Sequence, residues 1–318
     1  MNKNPLNYIV TGATGFIGSH LVKVLLETGG KVVVFVRSDS IKLSVLPKHK
    51  NLIILEGDFN NIETWHEKLE KNINFKIDVF YHLAWKGVFN SLRNDIQQIM
   101  NIKPTIDTLF LAEKIKCKRW IGVGSQAEYG PLNKKISEVD PTNPTTLYGS
   151  AKLSSCMLTQ MLGRQLSLEV GWVRIFSTYG PEDNSGWFLM HVIDQLLKGQ
   201  RPKLTLGEQF WDYLYITDAV NALKALGECQ ELNGIYNLGS GKVYKIRTIV
   251  EKIRDIINPN IQLLFGEIPY RADQVMHLEA NIDKIHKDTG WYPKFSLDEG
   301  IRIILNYSMG KGVETGLN

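Results

Sequence analysis

Short apolar runs alternate with amphipathic stretches along the first 180 residues of the chain. The apolar runs are rich in β-branched residues and read NYIV, KVVVFV, NLIILEGD, DVFYHLA, RWIGVGS and LEVGWVRIF. Amphipathic segments lie between them, most clearly over Phe16–Thr28 and around Asn94–Lys114, where Pro104 indicates either a kink or a later helix start. This alternation predicts an α/β fold, a doubly wound parallel sheet with helices on both faces.

A glycine-rich turn, TGATGFIGSHL, joins the first predicted strand to the first predicted helix. Gly12 permits the tight turn, Gly15 lets the backbone approach a diphosphate, and Gly18 lets helix and strand pack closely. The helix N-terminus adds free N–H groups and positive potential for an anion. We therefore predict a Rossmann-type dinucleotide site. Its first loop would also include Thr14, Phe16 and Ile17.

The regular alternation breaks after residue 180, where turn signals and isolated helices become more frequent. A further strand is predicted at IYNLGS, near residue 238. We expect residues 1–180 and 208–238 to form the dinucleotide-binding domain. Residues 181–207 and 239–318 are predicted to form a smaller, mostly C-terminal α/β substrate domain over the sheet edge where ligands bind in such folds.

The residues after the second predicted strand select between the two nicotinamide dinucleotides. An acid there binds the adenosine ribose 2′-hydroxyl, whereas an arginine attracts a 2′-phosphate. The chain has VVVFVRSDS, so Arg37 and Ser38 favour NADP(H), while Asp39 one register later keeps NAD(H) possible. Residues that follow later strands are also predicted to contact the cofactor: Asp58, Phe59, Leu83 and Ala84. We interpret His82 as a structural histidine.

Composition and charge narrow the class of protein. The 318 residues have a globular composition and a net charge of +4, with lysines scattered among acids rather than forming a basic stripe. The three cysteines are widely spaced without CxxC, which suits reduced thiols and gives no metal site. We find no apolar signal core and no membrane-spanning run. We therefore expect a cytoplasmic protein without nucleic-acid or membrane partners.

Tyr148 and Lys152, in the stretch YGSAK, lie four residues apart on one face of a predicted helix. An ammonium near a phenol stabilises the phenolate, and this allows a tyrosine to act as acid or base near neutral pH. For an isolated pair the competing interpretation is an aromatic ring packed beneath a lysine stem. The other motifs must decide between the two.

The ordered motifs together resemble the extended short-chain dehydrogenase/reductase family, the nucleotide-sugar epimerases, dehydratases and reductases. The match runs nearly end to end: TGATGFIG, GD at 57–58, HLA at 82–84, GSQAEYG at 124–130, YGSAK at 148–152, VRIFSTYGP at 173–181, WDYLYITDA at 211–219, YRAD at 270–273 and GWYP at 290–293. The resemblance implies that Tyr148 exchanges a proton with the sugar oxygen. It implies that Lys152 lowers the pKa of Tyr148 and holds the nicotinamide ribose, and that Ser125 hydrogen-bonds the same oxygen. It further implies a cofactor contact by Asn101 and a homodimer formed through the Tyr–Lys helix.

Departures from the family pattern limit the reaction. Dehydratases of the family carry Asp-Glu after the serine or threonine, whereas this chain has Gln126 and Ala127. Alanine cannot transfer a proton, which disfavours dehydration, and we expect Glu128 to point elsewhere. On the substrate side, Ser177 replaces a common asparagine and Trp211 replaces a diphosphate-binding arginine. The predicted substrate contacts are Ser125, Gln126, Ser177, Trp211 and Arg271, the last matching the family's other diphosphate arginine.

We expect an NADPH-dependent reductase of a nucleotide-diphosphate 4-keto-6-deoxy sugar, in which hydride reaches the ketone carbon while Tyr148 donates the proton. An NAD-dependent nucleotide-sugar 4-epimerase is the alternative, because it needs the same hydride and proton transfers. A cofactor-sensing protein without catalysis is the remote alternative. The intact Ser125, Tyr148 and Lys152 argue against it.

Overall fold

The computed structural model of the protein describes residues 5–40, 42–232, 234–271 and 274–314. Within them the strands are β1 (Tyr8–Thr11), β2 (Val32–Val36), β3 (Leu52–Glu56), β4 (Val79–His82), β5 (Arg119–Ser125), β6 (Lys134–Ile136), β7 (Glu169–Ile175), β8 (Thr178–Tyr179), β9 (Phe210–Trp211), β10 (Leu214–Tyr215), β11 (Gly234–Leu238), β12 (Tyr244–Lys245) and β13 (His277–Ala280). The helices are α1 (Phe16–Glu27), α2 (Trp65–Asn72), α3 (Ile102–Lys114), α4 (Leu147–Leu166), α5 (Phe188–Leu197), α6 (Ile216–Glu228), α7 (Ile246–Ile257), α8 (Asp283–Thr289) and α9 (Leu297–Glu314).

The main sheet is parallel throughout and has the order β11-β7-β5-β4-β1-β2-β3 in the described residues. The chain winds outward from β1 to β3 and then returns to place β4 on the other side of β1. The two strands that diverge here, β1 and β4, define the switch point where open α/β sheets bind ligands. The predicted Rossmann-type fold is confirmed.

Successive residues of a strand pack into two separate cores, because their side chains point to opposite faces of the sheet. Tyr8 and Val10 of β1 pack into the core that includes buried residues of α1 and α6, whereas Ile9 packs into the core that includes those of α2, α3 and α4. These two helix layers explain why the strands read as continuous apolar runs. No helix within the described residues is long and apolar enough to cross a membrane.

A smaller four-stranded sheet has the order β12-β9-β13-β6, and β8 pairs with β10 beside it. Strand β6 lies in the segment assigned to the dinucleotide-binding domain, yet it pairs in parallel with β13 of the C-terminal segment. Residues 134–136 therefore pack with the smaller sheet. The proposed division into two domains stays a prediction.

The helix expected around Asn94–Lys114 begins only at Ile102. Two short 3-10 helices, Asn90–Asn94 and Ile96–Asn101, fill the connection from β4. Pro104 consequently lies in the first turn of α3, where the absence of its N–H breaks no helical hydrogen bond. Of the two alternatives that Pro104 indicated, the later helix start is therefore correct.

Candidate active site

The glycine turn after β1 meets the end of β4. Gly12 has φ +71°, and a Cβ at this position would lie 2.7 Å from the amide nitrogen of Ala84. Only glycine combines that backbone conformation with so close an approach. The turn therefore brings the predicted cofactor residues Leu83 and Ala84 beside the predicted cradle.

The start of α1 fits a diphosphate. A Cβ on Gly18 would collide with the Gly12 carbonyl oxygen, so this glycine serves helix packing as predicted. Gly15 is the exposed N-cap residue, and a Cβ there would have one neighbour within 4 Å, the Gly12 oxygen at 3.2 Å. The first turn of α1 contains no acid. The space before Gly15 and the helix N-terminus thus fit the anionic part of a dinucleotide.

The residues that follow β2 and β3 lie toward the predicted adenosine side. Arg37 and Asp39 are exposed, and the Arg37 Nε lies 3.6 Å from the Asp39 Oδ1. The arginine therefore has an acid within ion-pair distance, and Ser38 between them is exposed. Asp58 caps a short helix by accepting a hydrogen bond of 2.8 Å from the Asn60 amide. Phe59 packs edge-on against His82.

Tyr148 lies in the first turn of α4, close to Ser125 at the end of β5. The Thr146 hydroxyl caps this helix by accepting a hydrogen bond of 3.1 Å from the Gly149 amide. Burial raises the pKa of Tyr148, whereas a hydrogen bond with Ser125 and the charge of Arg93 lower it. The structure thus brings together the phenol and the hydroxyl that the sequence assigned to one sugar oxygen.

Lys152 is buried one helical turn beyond Tyr148. Its Nζ donates a hydrogen bond to the Val123 carbonyl and lies 3.7 Å from the centroid of the Trp85 ring. The distance from Nζ to the Tyr148 ring centroid is 6.0 Å. Burial lowers the pKa of Lys152 to about 7, with the Glu128 carboxylate acting in the opposite direction. The phenol and the ammonium therefore share one pocket, as predicted.

Glu128 points into the core. Its Oε1 accepts hydrogen bonds of 2.9 Å from the Ser125 amide and from the Trp172 indole. Its Oε2 accepts one of 2.7 Å from the Arg174 Nε. The expectation that Glu128 turns away from the reaction is confirmed. Gln126, next to Ser125, is half-buried.

Asn101 and His82 serve the scaffold. The Asn101 Oδ1 accepts from the Lys86 amide at 2.8 Å, and its Nδ2 donates to the Lys86 and Gln98 carbonyls. Its amide thus ties the β4–α3 connection together, which gives no support to the expected cofactor contact.

His82 bonds to the hydroxyls of Thr11 and Thr105, and burial lowers its pKa to about 3. It is neutral and structural, as interpreted.

Two departures from the family pattern contact each other. The Trp211 Nε1 donates a hydrogen bond of 2.8 Å to the Ser177 Oγ, which joins β9 to the turn after β7. The indole of Trp211 is half-buried. Arg271 is exposed at the end of a described segment, and the rest of its motif, Ala272 and Asp273, lies outside the described residues. The diphosphate role of Arg271 stays a prediction.

Sequence reasoning missed three residues of the site: Trp85, Arg93 and Gln98. Trp85 directly follows Ala84 at the switch point, and its ring lies edge-on to Tyr148 at 6.1 Å. Its position after HLA was a usable signal, because strand ends at the switch point face the ligand. Arg93 and Gln98 lie in an irregular connection, and no periodicity could have placed them.

A sequence model of the NAD dependent epimerase/dehydratase family matches residues 8–239, well over half of the chain. The chain belongs to this family. It is an oxidoreductase-like enzyme of the extended short-chain dehydrogenase/reductase type, and the predicted resemblance is confirmed.

Individual relatives agree with the family. A putative UDP-glucose 4-epimerase of Methanocaldococcus jannaschii is 31% identical over 313 residues, which cover 94% of this chain and 97% of that protein. A UDP-N-acetylglucosamine 4-epimerase from Methanobrevibacter ruminantium superposes with a TM-score of 0.85 at 25% identity, covering 97% and 100% of the two chains. A UDP-glucose 4-epimerase of Thermus thermophilus in complex with NAD gives 0.83 at 22% identity, covering 96% and 99%.

We predict that Gly15→Ala weakens NAD binding at least tenfold while leaving the fold nearly as stable. The added methyl group would meet one neighbour in the protein, the Gly12 carbonyl oxygen at 3.2 Å, which must shift by a few tenths of an ångström, and it would occupy the space of the diphosphate. Loss of a glycine N-cap costs about 1 kcal/mol. Isothermal titration with NAD and urea unfolding measure the two effects. Equal losses of affinity and stability, or retained affinity, would refute the cradle.

We also predict that Lys152 makes the stability of the cofactor-free protein rise with pH. The native state loses this proton near pH 7, whereas the unfolded chain holds it up to the ordinary pKa of 10.5. Between these values the unfolded state binds more protons, so raising the pH favours folding, by at most about 1.4 kcal/mol per pH unit. Urea unfolding of Lys152→Met across pH 7–10 should give a flatter profile. The exposed-lysine control, Lys50→Met, should follow the wild type.

Proposed function

We propose that the protein is an NAD-dependent nucleotide-sugar 4-epimerase. The observation that carries this proposal is the convergence of Ser125, Tyr148 and Lys152. Dehydration would need a second acid and base, which Ala127 and the inward-pointing Glu128 do not provide. The names of the relatives described above support it, and they suggest UDP as the nucleotide.

The residues of the chain would perform the proton chemistry in both halves of the reaction. Tyr148 takes the proton from the sugar 4-hydroxyl and later returns it, while Ser125 holds the same oxygen by a hydrogen bond. Lys152, when protonated, stabilises the phenolate. A bound nicotinamide would accept hydride from the sugar carbon and return it to the opposite face of the resulting ketone.

NAD is the proposed cofactor in place of the NADP(H) expected from the sequence. The Asp39 carboxylate neutralises part of the Arg37 charge and would repel a 2′-phosphate. A reductase of a 4-keto sugar is the second candidate function, and Arg37 is the observation that favours it. Preferential binding of NADPH over NADH, with net consumption of the reduced cofactor, would support that reductase.

We predict that Tyr148→Phe lowers turnover by a factor of about 100 to 10,000, because it removes the proton-transfer group. NAD affinity should change less than threefold. Interconversion of UDP-glucose and UDP-galactose by the NAD-loaded enzyme, followed by NMR, measures the first effect. The exposed-tyrosine control, Tyr292→Phe, should keep full activity. Wild-type turnover by Tyr148→Phe would refute the role of the tyrosine. A wild type that epimerises neither UDP-glucose nor UDP-glucuronic acid would refute the proposed function.

We also propose a homodimer through α3 and α4. These packed helices expose large apolar side chains: Phe110, Met157, Leu158 and Met161, each 40–60% exposed. Large apolar side chains that are exposed on two packed helices are typical of an interface. Light scattering should give twice the chain mass of 36.1 kDa. The double variant Leu158→Glu, Met161→Glu should be monomeric, and a monomeric wild type would contradict the proposal.

A further inference from the structure

Arg93 is a second cation beside Tyr148, and the proposed reaction assigns its N–H groups no partner. It lies in the short helix Asn90–Asn94, is half-buried, and places its Cζ 4.6 Å from the centroid of the Tyr148 ring. Among the residues that the structure describes, none accepts a hydrogen bond from its guanidinium or forms an ion pair with it. A guanidinium over a ring face keeps its N–H groups available for an acceptor.

The surrounding carboxylates and amides are already engaged. Glu128 binds Arg174 and the Ser125 amide, and the Asp95 Oδ1 accepts a hydrogen bond of 2.8 Å from the Gln97 amide. The Asn94 Oδ1 accepts one from the Leu147 amide at 3.2 Å. Arg93 and Lys152 both lie near the Tyr148 ring, at 4.6 and 6.0 Å from its centroid, and Tyr148 is in the first turn of α4. Two basic side chains and a helix N-terminus in one place favour an anionic ligand group.

The connection that carries Arg93 is held in place. Gln98 is 2% exposed, its Oε1 accepts from the Trp85 indole at 2.8 Å, and its Nε2 donates to the carbonyls of Gly87 and Leu92 at 2.6 and 2.8 Å. The bond to Leu92 fixes the residue directly before Arg93. The backbone that carries Arg93 is thus preorganised, and the guanidinium lies over the Tyr148 ring.

We propose that Arg93 is a substrate-binding residue that selects a sugar carboxylate, so that the substrate class is the nucleotide-linked uronic acids. The planar fork of arginine matches a carboxylate through two parallel hydrogen bonds. In a uronic acid the carboxyl group is attached to C5, beside the C4 oxygen that Tyr148 and Ser125 would hold. This role rests on the proposed 4-epimerase function, because that reaction places C4 at Tyr148.

Binding to the NAD-loaded enzyme tests this role, with UDP-glucuronic acid and UDP-glucose as the probes in isothermal titration. The wild type should bind the acid at least tenfold more tightly than the neutral sugar. Arg93→Met should weaken the acid about 10- to 100-fold and the neutral sugar less than threefold, since only the acid loses a charge-assisted pair. Arg93→Lys should retain part of the preference. The control Lys86→Met, an exposed lysine of the same connection, should change neither affinity.

Other results would overturn the role of Arg93. It would be overturned if Arg93→Met lost affinity for both sugars equally, or if it kept both affinities and only shifted the pH profile of turnover. It would also be overturned if the wild type bound neither sugar.

The two proposals can fail separately. Epimerisation of UDP-glucose without preference for the acid leaves the function standing and removes the carboxylate role. Arg93-dependent binding of the acid without any epimerisation supports the carboxylate role and removes the proposed function.

Discussion

The buried carboxylate of Glu128 is the interaction on which the arrangement of the site depends. It links the end of β5 to β7 through Arg174 and Trp172, and it fixes the backbone of Ser125. Gly124 has no side chain because a Cβ there would collide with Glu128 and Trp172. Removing one partner of such a buried pair typically costs about 3–5 kcal/mol, so the Ser125 hydroxyl is positioned by a contact that the fold itself requires.

The same carboxylate has an electrostatic effect on the chemistry. Burial of Lys152 favours its neutral form, and the negative charge of Glu128 opposes that tendency. A lysine without this charge nearby would hold its proton less well and would stabilise a phenolate less. One group therefore fixes the backbone of Ser125 and helps Lys152 to stay protonated. This explains why the acid next to GSQA can be essential to the site without taking part in proton transfer.

Local patterns predicted the sheet, the cradle and the Tyr148–Lys152 pair, because alternation, glycine spacing and the i, i+4 rule are properties of neighbouring residues. The role of Ser125 came from the resemblance to the family. They did not predict Trp85 or Arg93, whose positions depend on bonds that Gln98 and Asn101 make across the β4–α3 connection. The preference for NADP(H) depended on Arg37 and Ser38, whereas the structure places the Arg37 Nε 3.6 Å from the Asp39 Oδ1. Reductase and epimerase use the same residues, so no motif separates them.

The tryptophan at position 211 removes a positive charge that the family pattern places there. In the family pattern an arginine at position 211 clamps the diphosphate, whereas here an indole occupies that position and its N–H is bonded to Ser177. Under the proposed function, the phosphate end lacks that cation, whereas Arg93 lies over the Tyr148 ring at the reacting end. Contacts with the sugar discriminate between substrates, because the sugar differs among them. Contacts with the diphosphate do not, because all nucleotide sugars share it. With the proposed role of Arg93, the two changes together would favour selection by the sugar.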